Sequence, residues 1–285
     1  ASCHRRYDAR MAEREYVLGT GDVEIRRLGI QHTAWRDLAH AAWQRAGVKA
    51  GDTVVDIGCG PGYATLDLAR LVGPRGKVIA IDRSRRFLDH LQAQANAEGF
   101  SNIETLERDL VEDALPQDVA DHVWSRWVFI FVKDPRALLG KARRMLGAGG
   151  SLVLHEYMDY ASWRSEPRSP QIEAFVAAVM ASWRAEGGDP DIAPRLAQWL
   201  RQDGMRVDTT PIPRQLKPGQ PGWEWLRSYL ESGPVRLVEL GQLDVVAPAQ
   251  IMREVAELEA NPGASMAAPT VMEIIARASP TALHR

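Results

Sequence analysis

The sequence predicts an α/β protein built on a doubly wound, mainly parallel sheet with helices on both faces. Three observations lead to this prediction. Short apolar runs alternate with amphipathic stretches from residue 51 to residue 157, which is the pattern of βαβ units. A glycine-rich turn at residues 58–62 stands where such folds bind anionic groups. The chain has 285 residues, of which 45% are hydrophobic, so it can bury a sizeable core.

Periodicity and start and stop signals define the elements of residues 51–157. Asp134 and Pro135 open one helix as N-cap and first helical residue, and the glycines from Gly147 onward end it. Strands are predicted at 53–57, 77–81, 102–106, 122–124 and 152–154, and helices at 63–72, 85–98 and 135–146. These elements predict the ligand-binding core of a single domain.

The rhythm of the sequence changes after residue 158. Helices are predicted at 171–186, 192–203 and 248–260, and strands at 205–216 and 270–276. Pro211 and Pro213 interrupt the first of these two strands. We expect residues 158–285 to complete the same domain, with the last strands of the sheet and with helical insertions that cap a site.

Charge and cysteine content argue against several classes of protein. A net charge of −2 and a pI of about 6.4 supply no global positive field for nucleic acid. The two cysteines, Cys3 and Cys59, lack a nearby His/Cys cluster, so no metal site is expected. No apolar run approaches the roughly 20 residues of a membrane span, and the polar start is unlike a secretory signal. A cytoplasmic protein without nucleic-acid or membrane partners is therefore expected.

The most specific motif of the chain is V-V-D-I-G-C-G-P-G at residues 54–62. It places three glycines between a buried strand and a helix, where bare backbone can approach a ligand closely and the helix N-terminus favours an anion. A dinucleotide-binding turn would read G-x-G-x-x-G, whereas this turn reads G-x-G-x-G and continues with Tyr63. The spacing therefore argues against a nicotinamide cofactor.

Asp82 follows the second predicted strand. In doubly wound folds a carboxylate near this position accepts hydrogen bonds from ribose hydroxyls. The alternative is that Asp82 caps the next helix, a role for which Ser84 competes. Its position after a glycine turn favours ribose binding.

Residues 53–157 resemble the core of the class I S-adenosylmethionine (SAM)-dependent methyltransferases, whose first motif reads D/E-x-G-x-G-x-G. The resemblance implies a Rossmann-like sheet of seven strands with the last strand antiparallel, with SAM as cofactor and S-adenosylhomocysteine (SAH) as product. It implies that the glycine turn cradles the methionine end of SAM, that the position of Asp82 binds ribose and that the position of Asp109 binds the adenine amino group. The cofactor-binding residues on this basis are Asp56, Gly58, Gly60, Gly62, Asp82, Arg83, Asp109 and Leu110.

Two further segments resemble a subgroup of that family. Residues 124–135 share an Arg, a Val and an Asp-Pro with the pattern H-A-R-x-V-L-x-H-V-x-D-P, but carry Ile130 and Phe131 where polar residues are frequent. Residues 16–19 and Gln31 resemble the subgroup's N-terminal segment, which folds over SAM, so residues 1–50 are expected to form a helical lid. The resemblance adds four cofactor-binding residues: Tyr16, Gln31, Ser125 and Arg126.

Methyl transfer from SAM is an in-line displacement, so the protein must mainly align the acceptor and exclude water. A general base is needed only when the acceptor is protonated at the working pH. Ligands bind at the carboxyl ends of the strands, so His155 and Glu156, together with His32 in the lid, are candidate bases. Side chains alternate along a strand, so His155 and Tyr157 face one side and Glu156 the other. A hydrogen-bonded structural role for His155 is the alternative.

Tryptophan is abundant, with nine residues in the chain. Five of them fall at or beyond the fourth predicted strand: Trp127, Trp163, Trp183, Trp223 and Trp225. These side chains fill the core of the cap, line a pocket for an aromatic acceptor or cage a cationic amine. The sequence leaves these three interpretations open.

The sequence therefore predicts an enzyme, a SAM-dependent methyltransferase that acts on O, N or C of a small aromatic or apolar acceptor in secondary metabolism. The alternative is a SAM-binding protein that transfers no methyl group, such as a pericyclase, a decarboxylase or a non-catalytic subunit. An Asn-Pro-Pro-Tyr motif after the fourth strand would indicate nucleic-acid methylation and paired glutamates there would indicate arginine methylation, and the sequence has neither at that point. A homodimer stays open.

Overall fold

A seven-stranded sheet organises residues 19–278, the part of the chain that the computed structural model describes. The strands of this sheet and of a second, smaller one are, in chain order, β1 (Thr53–Ile57), β2 (Lys77–Asp82), β3 (Ile103–Glu107), β4 (Ala120–Arg126), β5 (Leu146–Asp159), β6 (Arg164–Glu166), β7 (Arg206–Ile212), β8 (Gln215–Leu216), β9 (Ser265–Ala267) and β10 (Thr270–Arg277). The helices are α1 (Asp22–Ala46), α2 (Tyr63–Val72), α3 (Arg85–Ala97), α4 (Pro135–Met145), α5 (Pro170–Ala185), α6 (Ala193–Gln202), α7 (Pro221–Glu239) and α8 (Ala247–Ala260). Among these helices, none has the length and apolar character needed to cross a bilayer.

The strand order of the large sheet is β3-β2-β1-β4-β5-β10-β7. The first five strands of this order pair in parallel, and β10 runs antiparallel to both of its neighbours, β5 and β7. The prediction of a doubly wound, Rossmann-like sheet of seven strands with an antiparallel last strand is confirmed. Chain order reverses between β1 and β4, and ligands of open α/β sheets bind beside such a switch point.

Both faces of the central strands are buried, as a parallel sheet requires. Val55 of β1 and Ile79 of β2 belong to the hydrophobic cluster on one face. Their neighbours Val54 and Val78 belong to the cluster on the other face. This two-sided burial explains why adjacent positions of β1 and β2 are both apolar, as at residues 54–55 and 78–81, rather than alternating with polar residues.

Helix α1 extends over 25 residues and packs within the core. Trp35, Ala39 and Trp43 recur every four residues along one helix face and are completely buried. The helix ends at Gly47, whose φ of +96° gives a left-handed C-cap. α1 therefore joins the sheet to the cap helix α7, against which it also packs. The first part of the predicted lid, residues 1–18, lies outside the described residues.

Two insertions build the cap. The first, between β5 and α6, contains β6 and α5, and the second, between β7 and β10, contains β8, α7, α8 and β9. β9 pairs with β6 and β8, so the small antiparallel sheet ties the two insertions together. Both insertions begin where β5 and β7 end, and β5 and β7 point the same way because each is antiparallel to β10. The predicted helical cap is thus confirmed, and it covers the ligand-binding edge of the sheet.

Candidate functional site

The glycine turn between β1 and α2 is shaped by close packing at its two ends. Gly58 has a φ of +64° and Gly62 a φ of +87°, a region that residues with a Cβ rarely adopt. A Cβ on Gly58 would lie 2.4 Å from Cγ2 of Val128, and one on Gly62 would lie 2.3 Å from Cδ1 of Leu91. A Cβ on the middle glycine, Gly60, would meet only Cδ1 of Leu28, at 4.0 Å, so the backbone of the turn is least crowded there.

Asp82 ties the glycine turn to the carboxyl end of β2. Its Oδ2 accepts the Gly60 N–H at 2.9 Å, and its Oδ1 accepts the Ser84 N–H at 2.8 Å. Burial raises the pKa of Asp82, while these two N–H groups oppose the rise. The Ser84 hydroxyl accepts the Phe87 N–H at 3.3 Å and caps α3. Ser84, rather than Asp82, is therefore the helix cap, and Asp82 stands where a ribose-binding carboxylate is expected.

The loop after β3 lies beside Asp82, because the Arg108 N–H donates to the Asp82 carbonyl at 3.0 Å. Oδ1 of Asp109 accepts the N–H groups of Val111 and Glu112 at 2.8 and 3.1 Å. Leu110 is half-buried, whereas the side chain of Arg83, which directly follows Asp82, is exposed. The adenine-binding role of this loop stays a prediction.

A buried pair of opposite charges lies next to the turn, at the ends of β1 and β4. Asp56 is 2% exposed, and burial raises its pKa to about 6 against the opposing hydrogen bond of Thr65 and the charge of Arg126. Burial lowers the pKa of Arg126 to about 10, so this guanidinium is still a cation at neutral pH. Ser125, also completely buried, donates its hydroxyl to the Ile57 carbonyl at 3.3 Å.

The Arg126 guanidinium has a buried nitrogen, Nη1, without a hydrogen-bond partner among residues 19–278. A buried charged donor of this kind is costly unless an anionic group pairs with it. SAM carries a carboxylate at its methionine end, so the donor and the bare glycine backbone fit that cofactor. The residues that would hold SAM are thus present in this structure.

His32 connects Arg126 to a buried carboxylate. Nη2 of Arg126 lies 3.1 Å from Nδ1 of His32, and Nε2 of His32 lies 3.0 Å from Oδ2 of Asp67. A guanidinium only donates, so Nδ1 accepts and Nε2–H donates to Asp67. Burial lowers the pKa of His32, which favours this neutral tautomer. Burial would raise the pKa of Asp67, but the hydrogen bonds from His32, Arg36 and His40 hold it well below its ordinary value.

An aromatic cavity lies between the cap and the carboxyl ends of β4 and β5. The space between its walls, counted together with the part that is open solvent, is about 430 Å³. Its walls are Arg27, Gln31, Trp127, Ile130, Phe131, Tyr157, Tyr160, Trp163, Trp183, Trp225, Leu226, Tyr229 and Pro269. Oε1 of Gln31 accepts from Nη1 of Arg27 at 3.0 Å and from Nε1 of Trp225 at 3.2 Å. No carboxylate, imidazole or amine is among these lining residues of the described chain.

Residues 54–150 match a family model described as a methyltransferase domain, and the motif residues of that segment lie in the candidate cofactor site described above. The chain thus contains a methyltransferase domain of the class I SAM-dependent type. SAM is the cofactor of that family.

The chain is similar to proteins that are named for different reactions. It is 32% identical over 126 residues to a demethylmenaquinone methyltransferase of Lactococcus lactis, covering 44% of this chain and 49% of that protein. It is also 32% identical over 153 residues to a carboxy-S-adenosyl-L-methionine synthase of Dichelobacter nodosus, covering 52% and 61%. A solved geranyl diphosphate C-methyltransferase from Streptomyces coelicolor superposes with a TM-score of 0.53 at 16% identity, covering 85% of this chain and 76% of that chain. This structural likeness shows the fold alone, and the matches span only about half to three fifths of the two curated relatives.

Both candidate bases of β5 are completely buried, and neither lines the aromatic cavity. Nε2 of His155 lies 3.3 Å from Oε2 of Glu273, and burial lowers the pKa of His155. Oε1 of Glu156 accepts the N–H groups of Val128 and Phe129 at 2.8 and 3.0 Å. Burial raises the pKa of Glu156 to about 8. These contacts favour structural roles for both side chains.

The structure brings the predicted cofactor residues of β1, β2 and β4 together at the glycine turn, and places Gln31 in the wall of the cavity. Tyr16 lies outside the described residues. Sequence reasoning named His32 but missed Asp67 and the hydrogen bonds that Asp67 accepts from α1. The signal was there, because His32, Arg36 and His40 recur every four residues along one helix face. Within residues 19–278, no group of His, Cys, Asp or Glu could hold a metal ion.

Proposed function

We propose that this chain transfers the methyl group of SAM to a small acceptor with an aromatic or apolar body, which binds in the aromatic cavity. The observation that carries the proposal is the wall shared by the two sites. Arg126 belongs to the cofactor site, and its guanidinium carbon lies 5.1 Å from the ring centroid of Trp127, which lines the cavity. A nucleophile in the cavity would therefore lie next to the cofactor site, as in-line displacement requires.

The chain's own residues bind, orient and exclude water. Nη1 of Arg126 would take the cofactor carboxylate and Asp82 the ribose hydroxyls. The N–H groups of residues 58, 59, 60 and 62 already donate within the protein and hold the shape of the glycine turn. When bound, SAM supplies a methyl group that is already activated by its sulfonium. The aromatic walls keep water from the reacting atoms and orient a planar acceptor by stacking.

The acceptor must be nucleophilic with little help from a protein base, because the lining residues of the described chain include no carboxylate, imidazole or amine. This requirement suits an electron-rich ring or enol, a neutral amine, or a phenol of low pKa. One relative is named for a demethylmenaquinone acceptor, and the planar aromatic walls would suit a fused ring of that kind. Methylation at carbon is accordingly our first choice among O, N and C.

A role without methyl transfer is the second candidate. One relative is named as a synthase of carboxy-SAM, and the absence of a base from the described cavity walls would equally suit a reaction in which SAM is held or modified. For the setting of the reaction, we propose that the acceptor is a small molecule of secondary metabolism rather than a nucleic acid. We also propose that the protein works in the cytoplasm, as a homodimer.

Calorimetric titration with SAM and SAH tests the cofactor assignment. We expect Asp82→Ala to weaken binding by roughly ten-fold or more, since a hydrogen bond to a charged group contributes about 1.5–3 kcal/mol. Asp89→Ala, on the exposed face of α3, is the matched control and should bind like the wild type. Mass spectrometry of candidate acceptors then separates the two functions: a gain of one methyl group with release of SAH supports methyl transfer. An altered acceptor with unchanged SAM supports the second candidate, and a folded wild type that binds neither SAM nor SAH contradicts both.

A further inference from the structure

Trp127 stands in a strained backbone conformation directly after β4. Its φ is +54°, a value that only one other non-glycine residue of the described chain approaches, Asp118 at +51°. For a bulky residue this region is costly, and such strain is retained mainly where function requires it. Hydrogen bonds fix the turn on both sides: the Trp127 N–H donates to the His155 carbonyl at 2.9 Å, and the next two N–H groups donate to Glu156.

The indole ring of Trp127 is held by three other aromatic rings. Tyr157 stacks on it at 5.4 Å and 21°, and Trp225 at 5.7 Å and 14°. Trp35 meets it edge to face at 5.2 Å and 90°. The ring is 7% exposed and lines the aromatic cavity. Its position relative to the cavity is therefore fixed by packing before any acceptor arrives.

The indole N–H of Trp127 is buried and has no hydrogen-bond partner among the described residues. Two other tryptophans of the cavity wall have partners: Nε1 of Trp163 lies 3.1 Å from Sδ of Met266, and Nε1 of Trp225 lies 3.2 Å from Oε1 of Gln31. Trp35 also has an unpartnered Nε1, but Trp35 is not part of the cavity wall. A buried donor without a partner is destabilising. Trp43 shares this feature with Trp35 and also lies outside the cavity wall, so Trp127 is the tryptophan of the described chain that combines an unpartnered N–H with a place in that wall.

We propose that Trp127 is the residue that orients the methyl acceptor, and that the acceptor carries a carbonyl, phenol or enol oxygen which accepts the indole N–H. This inference rests on the proposed function and narrows its substrate class. A cationic amine cannot accept a hydrogen bond from the indole N–H. The inference therefore favours an oxygen-bearing ring as acceptor over a cationic amine held in an aromatic cage. The cation of the cavity wall, Arg27, is already paired with Glu24 at 2.6 Å.

The N–H donor would also favour the ionised form of such an acceptor, because a hydrogen bond to an oxyanion is stronger than one to a neutral oxygen. That effect would replace part of what a general base does. It fits a cavity whose described walls hold no carboxylate or imidazole. Trp127 would thus be a binding and electrostatic group, not a proton acceptor.

The test uses the full chain labelled with ¹⁵N-tryptophan, saturated with SAH and titrated with 1-naphthol or naphthalene. The two probes share one ring system and differ by a hydroxyl. We expect 1-naphthol to gain roughly 2- to 12-fold in affinity from the indole N–H, the fold-change of a net hydrogen bond of about 0.5–1.5 kcal/mol. The Trp127 indole resonance should move downfield with 1-naphthol and not with naphthalene.

Trp127→Phe keeps a ring and removes the donor, so the affinity ratio of 1-naphthol to naphthalene should fall by that factor. Trp163→Phe is the matched control, because it alters the same cavity while its N–H is already engaged with Met266. An unchanged ratio in Trp127→Phe, or a downfield shift confined to another indole, overturns the inference. If Trp127→Phe does not fold, contacts between the indole N–H and protons of Tyr157 assign the resonance in the wild type, and its shift decides alone.

The SAH titration distinguishes failure of the role proposed for Trp127 from failure of the proposed function. If SAH binds and neither naphthalene nor 1-naphthol binds, or both bind equally well, the orienting role of Trp127 is wrong while the cofactor assignment stands. If SAH does not bind to the folded protein, the proposed function itself fails. A ratio that falls only in Trp127→Phe, with SAH binding intact, supports the inference.

Discussion

Glu156→Gln should make the protein less sensitive to alkaline pH. Oε1 of Glu156 holds the Val128 and Phe129 N–H groups, and Oε2 is buried without a partner among the described residues. A glutamine keeps the accepting oxygen and cannot ionise, so it resembles the protonated acid that occupies this place at low pH. The substitution therefore removes the buried negative charge and preserves the turn that carries Trp127.

The magnitude follows from the displaced pKa. Burial raises the pKa of Glu156 from 4.5 to about 8, so the folded state binds a proton more tightly than the unfolded state. The stabilisation that this provides is fully present below pH 4.5 and is lost as the pH rises through about 8. At about 1.36 kcal/mol per pKa unit, the wild type should lose roughly 3–4 kcal/mol relative to Glu156→Gln between pH 5 and pH 8.

Urea unfolding at pH 5, 6, 7 and 8 measures this difference directly, because the other titrating groups are common to both proteins. Glu257→Gln, at an exposed position of α8, is the control and should follow the wild type at every pH. Parallel stability curves for the wild type and Glu156→Gln would refute the reasoning. They would mean that the Glu156 carboxylate is solvated or paired when it ionises.

Two further substitutions test the cofactor site. Gly58→Ala puts a Cβ 2.4 Å from Cγ2 of Val128 on backbone with a φ of +64°, so urea unfolding should show a loss of roughly 2–4 kcal/mol. Adding Val128→Ala should restore only part of that loss, and a Gly58→Ala protein as stable as the wild type would contradict the clash. His32→Phe removes the acceptor of Arg126, so calorimetry should show SAH binding weakened roughly 5-fold or more, while Thr33→Ala, on the exposed side of the helix, should not. Equal SAH affinity in His32→Phe would mean that His32 does not position Arg126.

The fold was predictable where the spacing of the apolar residues follows one pattern, that of a strand or that of a helix. The predicted strand 53–57 agrees with β1, because Val54, Val55 and Ile57 form a short apolar run that the glycine turn ends. The strand predicted at 152–154 is far longer in the structure, since β5 begins directly at Leu146. The glycines at 147, 149 and 150 read as a helix stop, yet they lie within a strand that pairs with β4 from Ala120 onward.

Proline and glycine residues, which usually end helices and strands, were also poor guides in the cap. The strand expected at 205–216 was predicted to be interrupted by Pro211 and Pro213. Pro211 lies within β7, and the chain breaks after Ile212 into two strands of different sheets, because a period of two does not say which neighbour a strand pairs with. α7 extends over 19 residues although Gly233 and Pro234 lie inside it. A Cβ on Gly233 would lie 2.8 Å from Cζ of Phe175, so tertiary packing, rather than helix propensity, requires a glycine there.

The cofactor site was more predictable than the acceptor site for a physical reason. A phosphate- or carboxylate-binding turn needs glycines at fixed spacing, and Gly58 and Gly62 carry that need in the sequence itself. The aromatic cavity is assembled from α1, the turn after β4, the end of β5 and two cap helices. Because these segments are far apart in the sequence, no local pattern predicts the cavity. The same holds for Trp127, whose special role depends on a backbone angle and on a missing hydrogen-bond partner.

The destabilising features of this protein are concentrated on one short segment, and that concentration is an argument about function. Burial shifts the pKa of Asp56, Arg126 and Glu156 away from their ordinary values. Arg126 lies in the stretch from Arg126 to Phe129, Glu156 accepts two of its N–H groups, and the charge of Arg126 acts on Asp56. Trp127 adds a strained φ and an unpartnered N–H at the same place. A fold selected for stability alone would have no reason to gather such costs beside a glycine turn. A cofactor carboxylate on Arg126 and an acceptor oxygen on Trp127 would satisfy two of these groups together, so we expect SAH and an oxygen-bearing probe to bind with positive cooperativity through this segment.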